Sequence, residues 1–352
     1  MAKVSTVLVV VLLVVSAACG GGNKKTKTTP GSGSDHAAKD PDPEGGATGA
    51  GGTSGGSGTG PVGGGPVGGG PVGGGPGDPP PVIPPNLDPD PAEAKAAVDA
   101  QLAIAKAALA AATPDPDGAL RAARAALAID AASVEAAAYV AFAYYHKRLY
   151  DTAELVLDDL FKREAAKSNA NVYYVYGLIY DKTNRPERAN VAYKKAVELD
   201  SKHTSALVNL GVHQLQNSQY AEAQATFERL TKEFGRKDAI TLTSLGSAYR
   251  GRSAEFPRGA PDRDQYVTTA EASYKRAIQA NANYGPAYYN LGLLYLDTDP
   301  FPGVSDTVQR LNTAKSYFEQ YKNMPGFDVK LYDSRTKDVD KAIKRAQKKK
   351  KP

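Results

Sequence analysis

Residues 173–193 read YYVYGLIYDKTNRPERANVAY, and the same arrangement of residues returns three more times along the chain. In this stretch Gly177 is followed twelve residues later by Ala189, which itself lies four residues before the large residue Tyr193. The glycine and the alanine recur as the pairs Gly211 and Ala223, Gly246 and Ala270, and Gly292 and Ala314. Small residues let two helices approach closely, and the large residues fill the space between them. The pattern predicts an array of helix pairs.

This pattern resembles the tetratricopeptide repeat (TPR), a helix-turn-helix unit of about 34 residues. The resemblance implies an all-α solenoid, because a single unit cannot bury its own apolar face and must stack on its neighbours. Residues 92–327 are predicted to form the solenoid, with units at 100–133, 134–169, 170–203, 204–237, 239–284 and 285–327. The first unit, nearly all alanine, is expected to be an atypical end unit. Residues 328–352 are expected to be a C-terminal capping helix with a basic tail.

The start of the chain predicts export. Lys3 precedes an apolar stretch from Val7 to Val15, and small residues lead to Cys19, the single cysteine of the chain. Residues 1–18 therefore have the features of a secretory signal peptide. The cysteine resembles the lipid acceptor of bacterial lipoproteins, which implies lipidation at Cys19. By the same resemblance, Gly20 in place of Asp after the cysteine favours delivery to the outer membrane, and the lipoprotein is expected to face the periplasm. An ordinary cleaved signal peptide is the alternative.

Residues 19–91 are a second compositional block. They are rich in Gly and Pro and contain the motif Pro-Val-Gly-Gly-Gly three times, starting at Pro61, Pro66 and Pro71. Such a sequence has too few large apolar side chains to offset the conformational entropy of folding. The block is predicted to be a disordered linker between the lipidated cysteine and the solenoid.

The resemblance also implies a binding surface, because in TPR proteins the first helix of each unit lines a concave groove. An apolar stripe with few charges suits an extended or helical peptide. The alternative is that part of the stripe is core between helices. A clamp for a terminal carboxylate is not expected, since Leu178, Val212 and Leu293 stand where that clamp needs asparagine. The predicted partner-binding groove consists of Phe142, Tyr145, Tyr174, Leu178, Val212, Leu215, Tyr289 and Leu293.

Two units carry insertions between their helices, around 251–264 and 297–307. The first is accompanied by arginines and the second by aspartates, so the two segments are expected to be able to pair. Insertions at one point of consecutive repeats emerge on the same edge of a solenoid. They form either a second binding edge or a surface insertion without a role.

The rest of the sequence provides no catalytic motif. None of the four histidines lies near the cysteine or forms a pair of histidines with the spacing of a metal site, and the sequence has no phosphate-binding glycine loop. We expect no enzyme activity, cofactor, metal site or nucleic-acid partner. The basic tail, with Lys344, Arg345 and 348–351, is either a solvated helix end or a contact for an anionic cell-wall polymer.

The signal, the linker and the six repeats together resemble the TPR lipoproteins of Gram-negative envelopes. The resemblance implies a membrane-anchored scaffold that holds protein or peptide partners. The long Gly/Pro-rich linker favours a component of a gliding motility machine. The alternatives are a pilotin-like factor for a type IV pilus secretin, a factor for outer-membrane protein assembly, and, as a different class, an accessory subunit of a cell-wall enzyme.

Overall fold

The computed structural model describes residues 90–349, which contain thirteen α-helices, a short 3-10 helix at Glu164–Ser168 and no β-strand. The predicted all-α solenoid of six helix pairs with a terminal helix is confirmed. The predicted signal peptide 1–18, Cys19 and nearly all of the linker 19–91 lie outside the described residues. The helices are α1 (Pro91–Ala110), α2 (Pro116–Ile129), α3 (Val134–His146), α4 (Tyr150–Leu160), α5 (Ala170–Lys182), α6 (Pro186–Leu199), α7 (Thr204–Gln216), α8 (Tyr220–Lys232), α9 (Ala239–Ser253), α10 (Pro261–Ala280), α11 (Gly285–Asp297), α12 (Thr307–Lys322) and α13 (Val329–Lys349).

The repeated glycines lie where the two helices of a pair touch. A Cβ atom added at Gly177 would lie 2.5 Å from the Tyr193 ring, and one at Gly211 would lie 2.7 Å from the Phe227 ring. Both rings are fully buried. The same contact joins Gly246 to Tyr274 and Gly292 to Phe318. The glycines are therefore required by the close approach of a large ring and not by backbone conformation.

The turn between paired helices is tight in the second, third and fourth repeats. Arg148, Asn184 and Ser218 occupy the same place in these turns and have φ angles of 63°, 58° and 59°. Residues other than glycine adopt this left-handed conformation at a cost, and asparagine adopts it most readily. The fifth and sixth repeats replace this turn with longer connections.

Tyrosines on the first helices bind acidic residues of the preceding pair. The Tyr176 hydroxyl of α5 donates to Asp158 Oδ1 of α4 at 2.7 Å. A comparable link, made by a tyrosine one helical turn later, joins α9 to α8 and α11 to α10. There Tyr249 donates to Glu228 Oε1 at 2.8 Å and Tyr295 donates to Glu271 Oε1 at 2.6 Å. These hydrogen bonds connect consecutive repeats.

The two inserted segments contact each other, as their charges predict. Arg250 Nη2 lies 2.7 Å from Asp297 Oδ2, and Arg263 Nη1 donates to the carbonyl oxygen of Pro300 at 3.0 Å. The fifth repeat absorbs most of its insertion as extra helix, because α9 continues to Ser253 and α10 begins at Pro261. The segments thus brace the fifth repeat against the sixth.

The two ends of the solenoid are built differently. At the C-terminal end, α13 buries Val339 in the apolar cluster that contains Tyr289 and Leu293. At the N-terminal end, α1 starts at Pro91, and its turn to α2 has five residues instead of the three that join α5 to α6. The first helix therefore begins before residue 100, where the first unit was predicted to start, and its fully buried Ala105 packs in the cluster that contains Ala119 and Ala123 of α2.

Candidate partner-binding surface on the first helices

The predicted groove residues divide into an accessible half and a buried half. Phe142, Tyr145, Tyr174 and Leu178, on α3 and α5, are half-buried. Val212 is 7% exposed, Leu215 0%, Tyr289 6% and Leu293 5%.

The buried half of the stripe belongs to the core, which corrects its assignment to the groove. Val212 and Leu215 share an apolar cluster with Leu245 of the next first helix. Tyr289 and Leu293 share one with Val339 of α13. The stripe residues of a first helix are therefore buried wherever the following first helix or the capping helix packs closely on them.

The accessible half is a continuous aromatic surface. The Phe142 ring lies 5.9 Å from the Tyr174 ring, edge to face, and 4.8 Å from the His146 ring. The Tyr145 ring lies 6.1 Å from Phe142 and 5.7 Å from Tyr150. Rings at these separations attract each other beyond their burial. We call this cluster of Phe142, Tyr145, His146, Tyr150 and Tyr174 the aromatic surface.

Burial favours the uncharged forms of Tyr145, His146 and Tyr174 in the aromatic surface. Burial raises the pKa of the Tyr174 hydroxyl to about 12 and raises the pKa of Tyr145 well above its usual range. Burial also lowers the pKa of the His146 imidazole, which favours its neutral form. The surface can therefore accept apolar groups while its hydroxyls and imidazole offer hydrogen bonds.

A chain of hydrogen bonds lines the N-terminal edge of this surface. His203 Nδ1 accepts from the backbone N–H of Ala206 at 3.2 Å, and His203 Nε2 donates to Asn171 Oδ1 at 3.0 Å. Asn171 in turn donates to Glu135, which also accepts from Asn169. This arrangement requires neutral His203 with its proton on Nε2. The His203 ring also lies 4.7 Å from the Tyr174 ring.

Asp181 occupies the opposite edge. Its Oδ2 accepts from the Tyr193 hydroxyl at 2.8 Å, and its Oδ1 lies 2.9 Å from His213 Nε2. His213 is buried, whereas the Asp181 side chain keeps 35% of its exposure. The carboxylate is thus positioned by two neighbours and remains open to solvent beside the aromatic surface.

Comparisons with known proteins agree with this architecture. Residues 162–281 match the family described as the Cilia and flagella-associated protein 70 middle TPR-like domain. A structure from a functional characterisation of Pseudomonas aeruginosa pilF superposes with a TM-score of 0.51 and 18% identity, covering 70% of this chain and 99% of that one. The chain has the tetratricopeptide-repeat fold. A comparison with curated proteins gave no match.

Two further structures resemble parts of this TPR solenoid. PilW, described as a widely conserved type IV pilus biogenesis factor, has a TM-score of 0.46 and 17% identity, over 61% of this chain and 91% of that one. YrrB, described as a TPR protein with an unusual peptide-binding site, has a TM-score of 0.37 and 20% identity, over 50% of this chain and 82% of that one.

Sequence reasoning missed Glu135, Asn171 and His203 as part of the TPR surface. A signal was present: His203 immediately precedes a first helix, where the second, third and fifth repeats have the capping residues Ser133, Asn169 and Asp238. A side chain at that place accepts a hydrogen bond from a free backbone N–H. The histidine was therefore identifiable as a helix cap from its position alone.

Between residues 90 and 349, none of the helices combines the length and apolar character needed to cross a membrane. In the same range, no three histidine, cysteine, aspartate or glutamate side chains are grouped so as to hold a metal ion.

Proposed function

We propose that this protein is an interaction scaffold whose aromatic surface binds an extended or helical segment of a partner protein. The observation that carries the proposal is the set of half-buried rings on α3 and α5, since Val212, Leu215, Tyr289 and Leu293 of later repeats are buried. Aromatic side chains that stay partly exposed at a concave surface are typical anchors for apolar peptide groups. The TPR fold supports a binding role without catalysis.

Two alanine variants test this binding role. Phe142→Ala and Tyr174→Ala should each weaken partner capture by about 1 to 2 kcal/mol, the usual loss for an interface anchor. The readout is capture of envelope proteins on the immobilised chain, with a melting curve for each variant. Tyr266→Ala is the matched control, because this half-buried tyrosine lies on the second helix α10. Equal capture by both groove variants and by the parent would contradict the proposal.

The scaffold is proposed to be an outer membrane lipoprotein that is anchored through Cys19 and faces the periplasm. The anchor rests on the sequence signals before Cys19, and delivery to the outer membrane rests on Gly20 after it. A lipid on this cysteine would tether the solenoid without any spanning segment.

We further propose that the scaffold serves an envelope machine. Assignment to gliding motility rests on the Gly/Pro-rich composition of residues 19–91. Pilus secretin or outer-membrane protein assembly is the alternative. Identifying the proteins that co-purify with the parent and are lost with Tyr174→Ala distinguishes these machines, and recovery of a cell-wall enzyme would assign the accessory role.

The exposed basic end of α13 offers a second contact in this scheme. Lys344, Arg345, Lys348 and Lys349 are exposed, and residues 341–349 contain no acidic side chain. Anionic cell-wall polymer is the proposed partner, because an excess of one charge sign attracts polyanions in a salt-dependent manner.

A further inference from the structure

The junction between the third and fourth repeats is packed differently from the others. Buried apolar clusters span the first and second repeats, the second and third, the fourth and fifth, and the fifth and sixth. Within residues 90–349, no such cluster contains buried residues of both the third and the fourth repeat; only the half-buried Val197 of α6 packs against the cluster of the fourth and fifth. This junction therefore has no buried apolar cluster shared between its two repeats, unlike the neighbouring junctions in the described part of the chain.

The tyrosine link is also missing there. In the fifth and sixth repeats, Tyr249 and Tyr295 bind acidic residues of the preceding pair, but the fourth repeat has Gln214 at this place. Gln214 Oε1 accepts from the hydroxyl of Thr226, which belongs to the same helix pair. The side chain thus stabilises its own repeat and makes no link to the third.

Two histidines contribute polar contacts across this junction, beside the donation from Arg229 Nη2 of α8 to the carbonyl oxygen of Ser201 at 2.8 Å and a hydrogen bond between the side chains of Tyr174 and Ser205. His203 donates to Asn171 of α5 at 3.0 Å, and His213 of α7 lies 2.9 Å from Asp181 at the end of α5. The His213 ring also lies 5.6 Å from the Tyr193 ring of α6. Hydrogen bonds between polar side chains depend on protonation state, which apolar packing does not.

We propose that this junction is a hinge of the solenoid, held closed by neutral His203 and released when His203 is protonated. A proton on Nδ1 would replace the acceptor of the Ala206 N–H with a second donor. The α7 N-terminus would lose its cap. Two N–H donors would then face each other at Ala206, so the ring would have to turn, and this rotation would move its Nε2–H away from Asn171. Because the His203 ring packs against the Tyr174 ring, release would also change the aromatic surface.

The charged groups around His203 set the direction of the effect. Burial lowers the pKa of this imidazole, and Lys106 of α1 acts in the same direction. Asp200 in its own turn and Glu135 of α3 oppose the shift, while Tyr174 of α5 is neutral. The pKa of His203 in the folded protein therefore lies below the ordinary imidazole value. The closed junction keeps its full stability above the ordinary pKa and loses stability as the pH falls from there towards the lowered pKa.

Paired spin labels test the hinge in a chain that carries Cys19→Ser. One pair, Leu155→Cys with Ala225→Cys, joins the second repeat to the fourth and spans the junction. The matched control pair, Arg121→Cys with Val191→Cys, joins the first repeat to the third and does not span it. All four sites are exposed. Distances are measured at about pH 7.5 and about pH 5, on either side of the ordinary imidazole pKa of about 6.5. The cross-junction distribution should broaden and shift at the lower pH, and the control should not.

Three histidine variants decide whether His203 is responsible. His203→Asn keeps a capping acceptor that does not titrate and should abolish the pH response. His146→Asn, which removes a half-buried histidine of α3 without a hydrogen bond across the junction, should retain it. The proposal would be overturned by a pH response that persists in His203→Asn or disappears only in His213→Asn. It would also be overturned if the control pair responded equally or if the parent did not respond.

Discussion

At the scale of single residues, the solenoid depends on complementary sizes across each helix pair. Where the third to sixth repeats have glycine facing an aromatic ring, the second repeat has Ala141 in place of the glycine and Leu157 in place of the ring. Both residues are fully buried. One extra methyl group on the first helix is thus matched by a smaller side chain on the second.

This reciprocity makes a specific stability prediction. Gly211→Ala places a methyl group within 2.7 Å of the buried Phe227 ring and should destabilise the fold by about 1 to 3 kcal/mol through overpacking. Adding Phe227→Leu, which copies the second repeat, should recover part of that loss. Chemical denaturation of the two variants provides the measurement, and a double variant less stable than Gly211→Ala would show that the sizes are not complementary.

At the scale of the helical elements, the short turns decide how closely two helices can be joined. Three turns place a residue other than glycine in the left-handed region, and the exposed Arg148 has the largest φ angle, 63°. Neither its length nor its charge is required for the turn. The tight connection itself imposes the conformation, and the sequence contains no glycine there to signal it.

Replacing this arginine should therefore stabilise the second repeat. For Arg148→Gly we expect the free energy of unfolding to rise by about 0.5 to 1 kcal/mol. This is the strain of the left-handed conformation that glycine removes, minus the larger conformational entropy that glycine gives the unfolded chain. Asn184→Gly is the matched comparison and should gain less, because asparagine tolerates this conformation. The midpoints of urea unfolding measure both, and a larger gain at Asn184 would contradict the strain argument.

At the scale of the whole molecule, the proposed anchor and the proposed surface lie in different parts of the chain. Cys19 precedes the first described residue, whereas the aromatic surface belongs to the second and third repeats. Loss of the anchor should therefore leave partner binding by the purified protein unchanged.

Cys19→Ser separates these roles. Because sulfur is the only acylation site available, the variant should lose a labelled fatty acid and leave the membrane fraction or accumulate as precursor. Phe142→Ala should keep both the label and the membrane fraction. Membrane fractionation after labelling measures both properties, and label retained by Cys19→Ser would reject the lipoprotein proposal.

The sequence by itself determined the helix pairs, their number and the close contacts at Gly177, Gly211, Gly246 and Gly292. These features follow from local periodicity and from a repeated spacing of small and large residues, which one chain displays directly. The pairing of the inserted segments also followed, because their opposite charges were visible at equivalent places in consecutive repeats.

The tertiary structure alone decided which half of the apolar stripe stays accessible. Phe142 and Leu293 are both apolar residues at the same place of a first helix, yet α13 helps to cover Leu293 while Phe142 remains half-buried. Exposure depends on how closely the next element packs, which is a long-range property. The histidine contacts between the third and fourth repeats were hidden for the same reason, since His203 and Asn171 lie 32 residues apart in sequence and meet only when the repeats stack.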